Sequence, residues 1–213
     1  MICGVDEAGK GSVLGPMVIS GVGVRSLDLI DGLGLRDSKQ LSPEARKRLF
    51  AVIKKKCRVA TVVIPAEEID AIRRQMTMNA CVARAHAAVI ARLAPEIVYV
   101  DACDVNPFRY AEMVRGHLPA DCEIVSEHHA DNTYPVVSAA SIVAKVTRDK
   151  EIAKFAKKYG KIGSGYPSDP ETVAYLTSYI DKYRVPPPIA RKSWKTVSAL
   201  LAQKSQSSLS TFF

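Results

Sequence analysis

A mixed α/β sheet is the fold class this sequence predicts, and three observations carry it. Two apolar runs near the start, Ile2 to Asp6 and Met17 to Val24, lie close enough to pair as a strand hairpin. Beyond them, short β-branched runs alternate with longer segments of helical periodicity, the pattern of a sheet of mixed direction flanked by helices. The last quarter reads as helical, an appendix packed on that sheet.

In chain order, the first strand ends in a glycine-punctuated turn, Gly9-Lys10-Gly11, before the second. Ser42-Pro43-Glu44 combines a capping hydroxyl, a first-turn proline and an acid, so a helix starts there and runs basic through Lys54-Lys55-Lys56. Arg58 to Ile64 is a third strand stopped by Pro65. Thr77 to Leu93 is alanine-rich with apolar residues at helical spacing, and Pro95 closes it. Ile97 to Asp101 is a short buried strand ending on an acid. Pro107 to Leu118 reads as a helix and Cys122 to Ser126 as a fifth strand. A long helix spans Pro135 to Tyr159 and stops at Gly160; another covers about Asp169 to Tyr183, ahead of a Pro186-Pro187-Pro188 turn.

The chain has 213 residues, 47% of them hydrophobic, enough to bury a core and to exclude disorder throughout. Lys and Arg number 30 against 22 Asp and Glu, a net charge of +8 that favours a polyanionic partner. No continuous apolar run is long enough for a membrane span, and the N-terminus lacks the basic start and apolar run of a signal peptide. Five scattered cysteines with no C-x-x-C pair fit reduced thiols, so a cytoplasmic protein is expected.

Chemistry concentrates in acids at strand ends. Asp6 and Glu7 close the first strand, Asp101 closes the fourth, and Asp131 follows the fifth within His128-His129-Ala130-Asp131. Each acid alone reads first as a helix cap or a solvated loop residue. Together, carboxylates at one sheet edge repel one another unless a cation sits among them. Hard divalent ions take such oxygen ligands and share them with substrate phosphate, which suits two-metal phosphoryl transfer. His128 and His129 have no metal-ligand partner at suitable spacing and read as surface histidines or as residues behind the metal ligands. The glycines of Gly9-Lys10-Gly11 allow a backbone to approach a phosphate or sugar, although a plain turn is the alternative. The spacing is that of neither a Walker loop nor a dinucleotide fingerprint.

These residues stand in a longer pattern: Asp6-Glu7-Ala8-Gly9-Lys10-Gly11, Gly15-Pro16, Asp37-Ser38-Lys39-Gln40-Leu41, Tyr99-Val100-Asp101, Glu127-His128-His129-Ala130-Asp131, Ser138 to Lys145, and Gly163-Ser164-Gly165-Tyr166-Pro167-Ser168-Asp169. In this order, over about residues 1–200, the pattern resembles ribonuclease HII, the type 2 ribonucleases H, and its archaeal members most. The resemblance implies an RNase H-like fold, a five-stranded mixed sheet flanked by helices with a helical C-terminal extension. It implies hydrolysis of the RNA strand of RNA–DNA hybrids. It also implies incision of duplex DNA on the 5′ side of an embedded ribonucleotide, leaving a 3′-hydroxyl and a 5′-phosphate, in ribonucleotide removal, replication and repair.

By the same resemblance, Asp6, Glu7, Asp101 and Asp131 hold two Mg²⁺ or Mn²⁺ ions. Gly9, Lys10 and Gly11 read the 2′-hydroxyl, largely through backbone groups, and Tyr166 stacks at the RNA–DNA junction. Many relatives carry arginine where this chain has Lys10. Lys39, Lys145 and Arg46 are the phosphate-contacting candidates. Two rival readings are a non-catalytic hybrid-binding module and another nuclease on the same fold, such as a Holliday-junction resolvase.

After Asp181 the chain carries six basic residues and no acid, and Ser205 to Phe213 bears no side-chain charge. Gln206, Leu209, Phe212 and Phe213 are similar in spacing to the peptide with which replication and repair enzymes bind the sliding clamp PCNA. One helical turn places the three apolar side chains together for an apolar pocket. The expected organisation is a catalytic domain over 1–165, a helical extension over 166–204 and a flexible clamp-binding tail over 205–213, in a monomer.

Overall fold

The computed structural model describes residues 1–35 and 41–209, with residues from 204 on described by backbone alone. Its sheet has five strands: β1 (Ile2–Ala8), β2 (Met17–Val24), β3 (Arg58–Ile64), β4 (Ile97–Asp101) and β5 (Glu123–Glu127), in the order β3-β2-β1-β4-β5. β1 is antiparallel to β2 and parallel to β4, and β4 is parallel to β5, so the sheet is mixed as expected. The helices are α1 (Pro43–Lys56), α2 (Ala66–Arg73), α3 (Met78–Leu93), α4 (Pro107–Arg115), α5 (Ala130–Thr133), α6 (Pro135–Tyr159), α7 (Pro170–Tyr183) and α8 (Lys195–Leu209). None is long and apolar enough to cross a membrane among the described residues.

Local chemistry sets the boundaries. Ser42 caps α1 by accepting from the Ala45 amide, with Pro43 in the first turn. Such a cap contributes about 1 kcal/mol. Thr77 and Asp169 cap α3 and α7 in the same way, so each of these helices begins one residue after the expected start. α4 stops at Arg115, short of Leu118, because Gly116 follows. β1 runs on to Ala8, two residues past Asp6, since its pairing with β2 extends to Ala8–Val18. α2 was not evident in the sequence. The backbone of α8 continues to Leu209 and so includes Gln206 and Leu209. Phe212 and Phe213 lie outside the described residues.

Two compact units interleave along the chain. The first comprises Met1–Ala8, Val18–Val63 and Met76–Thr147; the second comprises Gly9–Met17, Ile64–Gln75 and Arg148–Phe213. In the first unit, successive residues of β1 face opposite sides of the sheet. On one side Gly4 meets the start of α6 so closely that a Cβ there would lie 2.2 Å from the Val136 carbonyl carbon. Val22, Val24, Ile53, Val136, Ala140 and Val143 form the core on that side. On the other side α3 packs Val89 and Leu93 over Gly21, beside Cys3. The core of the second unit gathers Val13, Leu14, Ile162, Leu176, Ile189 and Val197. None of the five cysteines forms a disulfide among the described residues.

Candidate active site

In the first unit, the parallel register places the acids. Val5 pairs with Val100, so Asp6 and Asp101 are the next residues on adjoining strands, about 4.8 Å apart in the sheet. Asp101 in turn pairs with Glu127 at the end of β5. Asp101 Oδ1 accepts from the Ala130 amide at 2.9 Å, which anchors the first turn of α5 and with it Asp131, itself buried.

Asp6 is buried, and its carboxyl is pushed up to about 8. Loss of water is the main cause, followed by the Glu7 charge; Asp101 adds to the shift, while Ser141 and the Glu7 amide oppose it by donating hydrogen bonds. Lys145 Nζ donates to Ser141 Oγ at 2.8 Å, so this lysine reaches Asp6 through one hydroxyl. Glu7 points to the α3 side. Its Oε2 lies 3.3 Å from Nε2 of the fully buried His86, within ion-pair range but not aligned as a hydrogen bond.

A buried carboxylate oxygen without a donor, beside a second acid held against ionisation, is the environment that a cation relieves. The donor set, all oxygen, fits a hard divalent ion. Among the described residues, no three His, Cys, Asp or Glu side chains already close on one centre.

The glycine loop belongs to the second unit, and a residue that sequence reasoning missed organises it. Arg191 is fully buried. Its Nη2, Nη1 and Nε donate to the carbonyls of Gly9, Lys10 and Gly15 at 2.6, 2.9 and 3.1 Å. Trp194 lies against the guanidinium at 4.9 Å. Arg191 is one of the six basic residues after Asp181, and carbonyl dipoles instead of water stabilise its charge. The segment is fixed further by Asp70 on α2, which accepts from the Lys192 and Ser193 amides and from Ser193 Oγ at 2.6–3.0 Å. With these carbonyls engaged, Gly11 remains exposed, and a Cβ there would meet nothing within 4 Å.

Tyr166 is half-buried, with the guanidinium of Arg148 4.7 Å from its ring centre. Arg148 Nη2 donates to the Ser164 carbonyl at 3.0 Å, which ties the ring's support to its own loop. That loop is held by the Thr172 hydroxyl, which accepts from the Gly165 amide at 2.9 Å, and by Asp169, which accepts from the Ser164 amide. Gly9 has a φ of +85°, and a Cβ there would strike Arg148 Nε at 2.3 Å, so glycine is required.

The other sequence candidates fare differently. Arg46 sits on α1 with its Nε buried and without a hydrogen bond among the described residues. Lys39 lies outside the described residues. His128 and His129 are exposed, as expected. Of the residues near the acids, His86 and Tyr110 escaped notice, and Ser141 stood in the Ser138 to Lys145 motif without a role; a histidine in the alanine-rich stretch that becomes α3 was the available signal.

An α/β protein with a mixed five-stranded sheet and acids at the ends of its central parallel strands is of the RNase H-like class of nucleases. The family model for ribonuclease HII matches residues 3–197. A ribonuclease HII from Methanoregula boonei is 81% identical over the full length of both chains. The crystal structure of the ribonuclease H2 from Pyrococcus horikoshii matches with a TM-score of 0.88 at 39% identity, over 95% of this chain and 97% of that one. The structure of a PCNA:RNase HII complex from Archaeoglobus fulgidus matches with a TM-score of 0.87 at 42% identity, over 92% and 95%. The chain belongs to the ribonuclease HII family. It is accordingly a metal-dependent endoribonuclease acting on the RNA of RNA–DNA hybrids.

Proposed function

We propose that this ribonuclease also incises duplex DNA on the 5′ side of an embedded ribonucleotide, by water attack in line with the departing 3′-oxygen, leaving a 3′-hydroxyl and a 5′-phosphate. The observation that carries the catalytic part is the gathering of Asp6, Glu7 and Asp101 at adjoining strand ends, with Asp6 held well above the usual carboxylate range. Asp131, fixed through Asp101 and Ala130, completes the set. Two Mg²⁺ or Mn²⁺ ions, when bound by these acids, supply the Lewis acidity that activates water and steadies the leaving oxygen. Lys145, through Ser141, keeps positive charge next to Asp6 and reaches toward phosphate.

Sugar recognition is the role of the second unit. Arg191 draws the carbonyls of Gly9 and Lys10 to itself, and the open side of Gly11 has room for a ribose 2′-hydroxyl, the group that distinguishes RNA from DNA. Tyr166, backed by Arg148, offers a ring for stacking on the sugar or base at the junction. Gln206, Leu209, Phe212 and Phe213 take the clamp-binding role, a reading supported by the Archaeoglobus enzyme's complex with PCNA.

The test is duplex DNA containing one ribonucleotide, incubated with Mg²⁺ or with chelator. A cut 5′ to the ribonucleotide only with metal is expected; no cut with metal, or an undiminished cut with chelator, refutes the reading. Removing residues 206–213 is expected to spare this cleavage and abolish binding to the clamp in a pull-down. Retained clamp binding refutes the tail assignment.

A further inference from the structure

On the α3 side of the sheet, behind Glu7, stands a buried pair that the cleavage chemistry described above leaves without a role. His86 is completely buried on α3 and Tyr110 completely buried on α4. The Tyr110 hydroxyl lies 3.0 Å from His86 Nδ1, and the other ring nitrogen, Nε2, lies 3.3 Å from Glu7 Oε2. The two rings meet edge to face, with centroids 5.8 Å apart. An imidazole is an unusual choice for a helix position that a leucine would fill, because it places two polar atoms where water is absent.

We infer that His86, held by Tyr110, is a positioning residue for Glu7 in metal binding and hydrolysis. Proton placement supports this. An ionised Glu7 is an acceptor only, so Nε2 must carry a proton for a 3.3 Å approach to be attractive. In a neutral ring Nδ1 is then the acceptor, and the Tyr110 hydroxyl is placed to donate to it. The opposite tautomer would set two lone pairs against each other. Tyr110 therefore favours the ring state that turns an N–H toward Glu7, without need of a charged imidazole. Neither Nε2 nor Oε2 has another hydrogen-bond partner, so a small rotation of the carboxylate completes a bond that satisfies both. Oε2 so anchored fixes the carboxylate plane and assigns Oε1 to the cation side. Partners of this outer kind change metal affinity or activity by about 10- to 100-fold when removed.

The inference rests on the proposed metal role of the acids, and its test separates the two. Mn²⁺ binding to the intact protein is measured directly, from the spin-resonance signal of the free ion, alongside steady-state kinetics on the ribonucleotide duplex. His86→Phe keeps the ring volume, and is expected to weaken Mn²⁺ binding about tenfold and to lower kcat with KM for the duplex unchanged. His86→Gln, which retains an N–H donor, is expected to stay within about threefold of the parent. Tyr110→Phe removes one hydroxyl and nothing else, and provides a second variant should His86→Phe fail to fold; about a threefold loss of Mn²⁺ affinity is expected.

In a Glu7→Gln background, His86→Phe should have no further effect. Parental Mn²⁺ affinity in both His86→Phe and Tyr110→Phe overturns the inference. So does a His86→Gln protein as impaired as His86→Phe, or a full His86→Phe effect in the Glu7→Gln background. A parent protein that binds no Mn²⁺ overturns the metal reading and the inference together.

Discussion

The end of β1 and the loop that follows it treat polar groups in opposite ways. At the strand end, Asp6, Glu7 and Asp101 crowd like charges together, and Lys145 reaches them through Ser141. In the loop, three carbonyls converge on the buried guanidinium of Arg191 and are satisfied within the protein. The first arrangement is electrostatically unfavourable by itself, the setting in which the proposed ions would bind; the second is satisfied by its own hydrogen bonds. In the proposed function, catalysis falls to the part that folding leaves electrostatically unfavourable, and sugar recognition to the part whose polar groups folding satisfies.

The largest effect expected from breaking this contrast is at Asp101. Asp101→Asn keeps the size and the acceptor for the Ala130 amide, and should lower kcat by about 10³-fold or more while hybrid binding persists. Cleavage near the parental rate would show that the strand-end acids are not the catalytic set. Next is Arg191→Met, which strands three carbonyls in a dry interior. A loss of about 3–5 kcal/mol in urea denaturation is expected. A change below about 1 kcal/mol would mean that the loop does not depend on the guanidinium.

The acid end should respond in the opposite sense. The folded protein holds the Asp6 proton up to about pH 8, against an ordinary value of 3.8. The folded state therefore binds that proton more tightly, and stability falls as pH rises between those values. Asp6→Asn removes the penalty, so in chelator the variant should be more stable than the parent at pH 8, by on the order of a few kcal/mol, and nearly equal at pH 4. Thermal melts at the two pH values decide it, and a variant less stable at pH 8 contradicts the account. Smallest is Tyr166→Ala. Loss of one stacking ring should raise KM on the ribonucleotide duplex by about tenfold with little change in stability. An unchanged KM would assign Tyr166 to packing under its loop.

What the sequence made legible follows a physical line. Strand ends are visible as apolar runs that stop, and an acid at such a stop is conspicuous, so Asp6, Glu7, Asp101 and Asp131 could be read in order. Capping hydroxyls and first-turn prolines placed α1 and α6 to within a residue or two. Arg191 was not legible, because a buried arginine and a solvated one have the same letter, and only its setting between Ala190 and Trp194 hints at an apolar environment. α2 was missed since its eight residues are too few for a periodic signal, yet its Asp70 fixes the segment beside Arg191. His86 and Tyr110 come from different helices, 24 residues apart, and their pairing exists only after the chain has folded.

The contact at Gly4 has a bearing on how this family can change. Backbone touches backbone there, with no side chain between β1 and the start of α6. Side chains can be exchanged and repacked, but a main chain has no alternative rotamers to offer. The spacing between Asp6, two residues along β1, and Asp131, four residues ahead of α6, is thus gauged by a part that substitutions in the surrounding core do not resize. Repacking of the surrounding side chains leaves the backbone contact at Gly4, and the spacing of the two acids with it, in place.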